Sequence, residues 1–250
     1  MSVLFILCPI IAIGAIVDAI AGGGGLITLT AYVAVGLPPQ VALGNNKFAS
    51  ASGTAIACYR YIRNDQVDWK VGSIAMLTSL AGSAVGSYMA TIYADTYLHY
   101  LLIFLVPAIA VFIMVKPDFG QAKPMEARLA IPFSAVMGLA IGLYDGFFGP
   151  GTGMFLTIIF TSVIGLDLLR ACGTARVVNL ASNIAAVATF IRFGSINYAI
   201  AIPCAVSAII GGYIGSGLAI RGGVKVVKPV MLFVLSLLLL KVVASTFGLF

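Results

Sequence analysis

The chain has 250 residues, of which 61% are hydrophobic and 9% charged, with a mean hydropathy of +1.12. So few charges cannot solvate so much apolar surface, so the composition excludes a soluble domain and fits an all-α polytopic membrane protein. The formal charge of +6, from 14 Lys and Arg against 8 Asp and Glu, does not point to nucleic acid, because the basic residues lie scattered between apolar runs.

The first apolar run, 3–21, ends in Ala19-Ile20-Ala21, which imitates a signal-peptide cleavage site. No basic residue precedes it and the second half carries a counterpart, so it reads as a retained helix. Asp18 and the run Gly22-Gly23-Gly24-Gly25 close it, and a short apolar run, 26–36, follows. Eleven residues at about 1.5 Å each cannot cross a hydrocarbon core of about 30 Å. Residues 3–36 are therefore either a re-entrant hairpin or one full and one short, tilted crossing. In both readings the glycine turn must be buried in protein or line a cavity.

Pro38-Pro39 ends that unit, and an apolar run over 41–62 carries Asn45, Asn46 and Lys47 in its first turns. Helices are expected over 71–93 and 98–115, joined by a short connection at 94–97. Tyr59, Tyr61, Trp69, Tyr93, Tyr97 and Tyr100 cluster at the segment ends, as an interfacial aromatic belt does. Residues 117–128, with Pro117 and Pro124, read as a cytoplasmic linker between halves 1–116 and 129–250. Apolar runs then recur at 129–148, 154–165, 171–191, 198–220 and 226–250.

The halves overlay without a gap, residues 36–90 on 165–219 at an offset of 129, with 11 of 55 pairs identical. Gly44 falls on Gly173, Arg63 on Arg192, Gly82 on Gly211 and Gly86 on Gly215, while Lys47 falls on Arg176. Extended backwards with two inserted residues, the overlay puts Asp18 on Asp145 and Gly22 on Gly149. Each half thus holds about five hydrophobic segments and one glycine-rich break. The loop with Arg60, Arg63 and Lys70 is more basic than its partner, whereas Arg221, Lys225 and Lys228 reverse the bias for the next loop. Equivalent loops are therefore expected on opposite sides, which makes the repeats inverted and places both termini outside. Gly82 and Gly86, like Gly211 and Gly215, read as close helix packing.

Inverted repeats with paired breaks point to a substrate held near the midplane between the halves. Backbone N–H groups freed at Gly22, Gly23, Gly24 and Gly25 and at Gly149, Gly151 and Gly153, with helix N-termini just behind, favour an anion. Lys47 and Arg176 would add two positive charges, and Asn45, Asn46, Thr174, Asn179 and Asn183 could donate hydrogen bonds. Snorkelling from helix starts is the competing account of the two cations. Asp18 and Asp145 are open to capping, to pairing with Lys47 or Arg176, or to carrying a coupling proton, with a structural or pairing role preferred over the proton. Cys8, Cys58, Cys172 and Cys204 are single and read as packed thiols, His99 beside Asp95 and Lys241 as interfacial residues. No metal cluster, cofactor motif, Walker loop or nucleophile set is expected, so the chain reads as a transporter rather than an enzyme.

The glycine-rich break, Gly36 to Ser50 (GLPPQVALGNNKFAS) and Gly165 to Asn179 (GLDLLRACGTARVVN) resemble the TauE/SafE family, the so-called sulfite exporters, over essentially the whole chain. The resemblance implies a bacterial inner-membrane permease for small sulfur-containing anions such as sulfite, sulfoacetate or other sulfonates. It implies site positions at Gly22 to Gly25, Asn45, Asn46, Lys47, Gly149, Gly151, Gly153, Thr174 and Arg176. Asn-Asn-Lys becomes Thr-Ala-Arg in the second half and Pro150 enters its glycine run, so the half-sites are expected to be unequal. An anion channel and a non-transporting scaffold are the other readings. The anion, the direction of transport, the coupling ion and the oligomeric state have no signature in the residues.

Overall fold

The structure, a computed structural model, describes the backbone over 2–115 and 124–246 and side chains over 3–93, 124–126 and 128–236. Every regular element among the described residues is a helix. In order they are α1 Ser2–Ala21, α2 Gly25–Ala34, α3 Pro39–Arg63, α4 Trp69–Val115, α5 Ala127–Phe147, α6 Thr152–Ser162, α7 Leu168–Arg192, α8 Tyr198–Gly222 and α9 Val224–Thr246. The helix starts follow the internal repeat: α3 and α7 each run for 25 residues at the offset of 129, and α8 starts at that offset from α4. The expected linker falls mostly outside the described residues, as do the side chains of Asp95, His99 and Lys241.

Local chemistry sets the breaks. Gly22 at φ +85° and Gly149 at φ +96° take a backbone turn that β-carbons disfavour, so α1 and α5 end at equivalent places. Pro39 opens α3 at the position where a missing N–H costs nothing, and the Asp167 carboxylate caps α7 by accepting from the Arg170 N–H at 3.0 Å. With 10 and 11 residues, α2 and α6 are about 15 Å long and cannot span a bilayer unaided. Four described helices, over Val3–Ala21, Arg128–Phe147, Leu168–Arg192 and Tyr198–Gly222, are long and apolar enough to do so.

One expected break is missing. The backbone runs as a single helix through 94–97, because Ala-Asp-Thr-Tyr contains neither Gly nor Pro to stop it. The matching place in the second half has Gly222-Gly223, with Gly223 at φ +54°, and there α8 and α9 separate. The described first half thus has four helices rather than five. At 47 residues α4 is about 70 Å long, well over the thickness of a hydrocarbon core.

The halves interlock rather than sit side by side. The first helix of each half packs on the post-loop helix of the other, α1 on α8 and α5 on α4, and α3 packs against α7. A β-carbon at Gly82 or Gly86 would land on the backbone of Leu139 or Leu143, and one at Gly211 or Gly215 on that of Ala12 or Ile16. The packing role expected for those four glycines is what the structure assigns them, and each contact crosses between halves. Leu77, Val85 and Ile92 on α4 and Ile202, Ile209 and Ile210 on α8 are exposed, while Asn45, Lys47, Asp145 and Arg176 are buried. Apolar residues outside and charges inside is the distribution of a protein dissolved in lipid.

Tyr61 departs from the expected aromatic belt. It is fully buried and donates its hydroxyl to the Ala19 carbonyl at 3.1 Å, tying α3 to α1, whereas Tyr59, Trp69 and Tyr93 are exposed as a belt requires. Tyr97 and Tyr100 lie outside the described side chains. The four cysteines are unpaired, with Cys58, Cys172 and Cys204 buried.

Candidate functional site

The two glycine breaks meet inside the molecule. The Met154 N–H, at the start of α6, donates to the Gly22 carbonyl at 3.2 Å, so the end of α1 touches the start of α6. Around this junction four charges form two ion pairs, each joining one half to the other. Lys47 Nζ lies 2.8 Å from Asp145 Oδ2, and Arg176 Nη1 lies 3.3 Å from Asp18 Oδ2. Lys47 corresponds to Arg176 in the repeat and Asp145 to Asp18, so one pair is the counterpart of the other.

Other contacts repeat the same reciprocity. The Asn197 N–H donates to Asn45 Oδ1 at 2.9 Å, and its equivalent, the Asp68 N–H, donates to Thr174 Oγ1 at 2.9 Å. A β-carbon on Gly44 would meet the Ser195 carbonyl, and one on Gly173 would meet that of Gln66. In each case a contact from residue i of one half to residue j of the other recurs between their repeat equivalents. A two-fold relation between the halves produces that pattern.

The two ion pairs are unequal. Asp145 is saturated: Oδ1 accepts from Thr152 Oγ1 at 2.6 Å, and Oδ2 accepts from Ser182 Oγ at 2.6 Å as well as from Lys47. Lys47 also donates to Asn183 Oδ1 at 3.1 Å, and both members are almost wholly buried, at 3% and 2% exposure. Repeat equivalents of Thr152 and Ser182 are Gly25 and Gly53, which have no hydroxyl to offer Asp18. Asp18 is correspondingly more open, at 19% exposure, while the Arg176 side chain beside it is at 0%. Arg176 Nε and Nη2 are buried without a hydrogen-bond partner among the described residues. Its guanidinium sits against Gly22 and Gly153, and a β-carbon on Gly153 would lie 2.6 Å from it.

Two adjoining cavities open here. One is lined from both halves by Asp18, Gly22, Gly25, Asn46, Lys47 and Ser50 and by Asp145, Gly149, Gly153, Asn179 and Asn183. The other shares Asp18, Gly25 and Ser50 and extends between α1, α2 and α3 past Gly53 and Thr54. Most expected site residues therefore surround one space, with the N-termini of α2 and α6 on it. Arg176 reaches it from behind Gly22 and Gly153.

Some expected residues face elsewhere. Asn45 and Thr174 hold the backbone of the opposite half's loop, Gly23 packs on Val234, Gly24 on Asp18 and the Gly14 backbone, and Gly151 on Phe155. The two cations expected to meet an anion are each paired with a carboxylate, Lys47 with Asp145 and Arg176 with Asp18. Thr152, Ser182, Ser50 and Thr54 were missed. Ser50 and Thr54 had a signal, since they overlay Asn179 and Asn183 and follow Lys47 at i+3 and i+7 on one helix face.

Residues 7–242 match the family described as Sulfite exporter TauE/SafE. The chain is similar to the probable membrane transporter protein ORF9 of Sinorhizobium sp, with 33% identity over 93% of this chain and 89% of the relative. It is likewise similar to the probable membrane transporter protein YfcA of Escherichia coli strain K12, at 30% over 93% and 86%, and to a probable membrane transporter protein of Haemophilus influenzae, at 29% over 92% and 91%. No solved structure matches it.

Proposed function

We propose, from the premise that the chain belongs to the TauE/SafE family of probable membrane transporters, that it is a secondary transporter of small sulfur-containing anions such as sulfite, sulfoacetate or other sulfonates. The observation that carries this reading is Arg176. A buried guanidinium with two unpartnered nitrogens, packed behind the glycine turns at Gly22 and Gly153 that line the cavity beside Lys47, has spare donors in the planar fork that suits oxyanions. Because Asp18 and Asp145 already neutralise the cations, an arriving anion competes with a carboxylate for its cation. The substrate sits between inverted repeats 1–116 and 129–250, and access alternates as they rock about it. Both termini lie on the outer side of the bacterial inner membrane, the orientation that the basic loops favour.

The test is uptake into liposomes holding purified protein, comparing sulfite, sulfoacetate, methanesulfonate, sulfate and acetate for the wild type, Lys47→Ala and Arg176→Ala. Saturable flux of a sulfur oxyanion, stimulated by the same anion in the opposite compartment and lost in Arg176→Ala, is the expected result. Large currents without exchange would indicate a channel, and flux indifferent to both substitutions would move the site elsewhere.

A further inference from the structure

The inequality of the two ion pairs carries a consequence for energy coupling, which rests on the anion reading above. The buried cluster Asp18, Lys47, Asp145 and Arg176 sums to zero charge. A singly charged anion taking up the free donors of Arg176 would leave it at minus one, and an uncompensated charge in such surroundings is strongly disfavoured. One proton entering with the anion restores neutrality. We propose that Asp18 is the acceptor of that proton, making the protein a proton–anion cotransporter in which protonation of Asp18 releases Arg176 to the substrate.

Geometry selects Asp18 over its repeat equivalent. Asp145 accepts from Lys47, Thr152 and Ser182, and a proton there would have to displace one of these donors. Among the described residues Asp18 has only the Arg176 contact at 3.3 Å and the backbone N–H of Gly24, because Gly25 and Gly53 stand where the other half has hydroxyls. It also lines both cavities, so a proton can reach it from the side away from Lys47. Thr54, buried with an unpartnered hydroxyl, lines the second cavity and supplies a polar group on that route.

The charged and titratable groups around Asp18 are few. Arg176 comes from α7, Lys47 from α3 and Asp145 from α5, while the Tyr61 hydroxyl and the Cys172 thiol engage the neighbouring carbonyls of Ala19 and Ile20. α2 and α8 contribute the neutral Thr28 and Ala208 to the adjoining cavity. The step balances simply. A proton bonds to a carboxylate oxygen of Asp18, the Arg176 Nη1–H contact to that carboxylate is given up, and the guanidinium N–H groups turn to the anion. Total buried charge is zero before and after.

The test uses methanesulfonate, which stays ionised at every working pH, with labelled uptake and lumenal pH followed together in proteoliposomes, and binding measured in detergent between pH 5 and 8. The expected result is one proton moved per anion. Affinity should fall about tenfold per pH unit once Asp18 is ionised, as linkage of one proton to one anion requires. In Asp18→Asn the neutral amide imitates the protonated acid, so binding persists with no pH dependence and uptake moves no protons. Gly25→Ser, which puts a hydroxyl where Thr152 serves Asp145, shifts the binding midpoint to lower pH. Flux without lumenal acidification, or a pH slope retained in Asp18→Asn, overturns proton coupling and leaves the carrier standing. No methanesulfonate or sulfite flux at all sinks the carrier reading and this inference with it.

Discussion

At the scale of single residues, the outcome at the site is set by charge pairing in a place without water. Lys47 and Asp145 are both buried, so removing only one leaves an unpaired charge that nothing solvates. Lys47→Ala is expected to cost about 3–5 kcal/mol of stability by that argument. Lys47→Ala with Asp145→Asn should recover most of the loss, and thermal unfolding in detergent measures both. Equal destabilisation by the single and the double variant would mean that the cost comes from losing the contacts of Lys47 rather than from the carboxylate left unpaired. Gly153 acts differently, since a methyl placed there meets the flexible end of Arg176 rather than backbone. Gly153→Ala should therefore lose anion flux, as the guanidinium is pushed off its position, and lose some stability as well, because Arg176 is buried and paired with Asp18. A variant that transports normally would remove Arg176 from the substrate's seat.

At the scale of elements, what matters is how close helices can come and where they stop. The α4 and α5 backbones touch through Gly82 and Gly86 on one side and Gly138, Gly142 and Gly146 on the other. A Gly86→Ile exchange would have to separate the two helices, so a loss of at least about 1–3 kcal/mol is expected, the usual cost of overpacking. The helix start at Asp167 is a smaller effect: Asp167→Ala removes a side-chain cap and should cost about 1 kcal/mol, while Asp167→Asn keeps most of it. Chemical denaturation of the three variants ranks these costs. A Gly86 variant as stable as the wild type would indicate that α4 and α5 part easily, which is itself a property a moving transporter would use. The continuity of α4 through 94–97 belongs at this scale too: two runs of apolar residues with a polar patch between them resemble two helices, but a polar patch need not stop a backbone, and none of these residues takes the positive φ that Asp65 takes after α3.

At the scale of the whole molecule, the reciprocal contacts relate the halves by two-fold logic, and the membrane decides which way the axis points. Asn64 and Phe193 are repeat equivalents, both exposed at loops that follow α3 and α7. Cysteines placed at Asn64 and at Phe193 are expected to react with an impermeant thiol reagent from opposite sides of the membrane, Asn64→Cys from the cytoplasm. Labelling of both from one side would mean that the halves run parallel. Legible along the chain were the all-helical class, most helix positions, the glycine breaks and the charges beside them, though not the continuity of α4. Those signals are local: apolar periodicity, turn residues and the cost of a charge in lipid each act over a few residues. Only the tertiary structure decided that Lys47 meets Asp145 and Arg176 meets Asp18, that Asn45 and Thr174 serve as fasteners between halves, and that one carboxylate is saturated while its twin is open. The ion pairs and the fasteners join residues more than 90 positions apart, brought together by helix packing, and no pattern along the chain specifies which donor a buried acceptor will find.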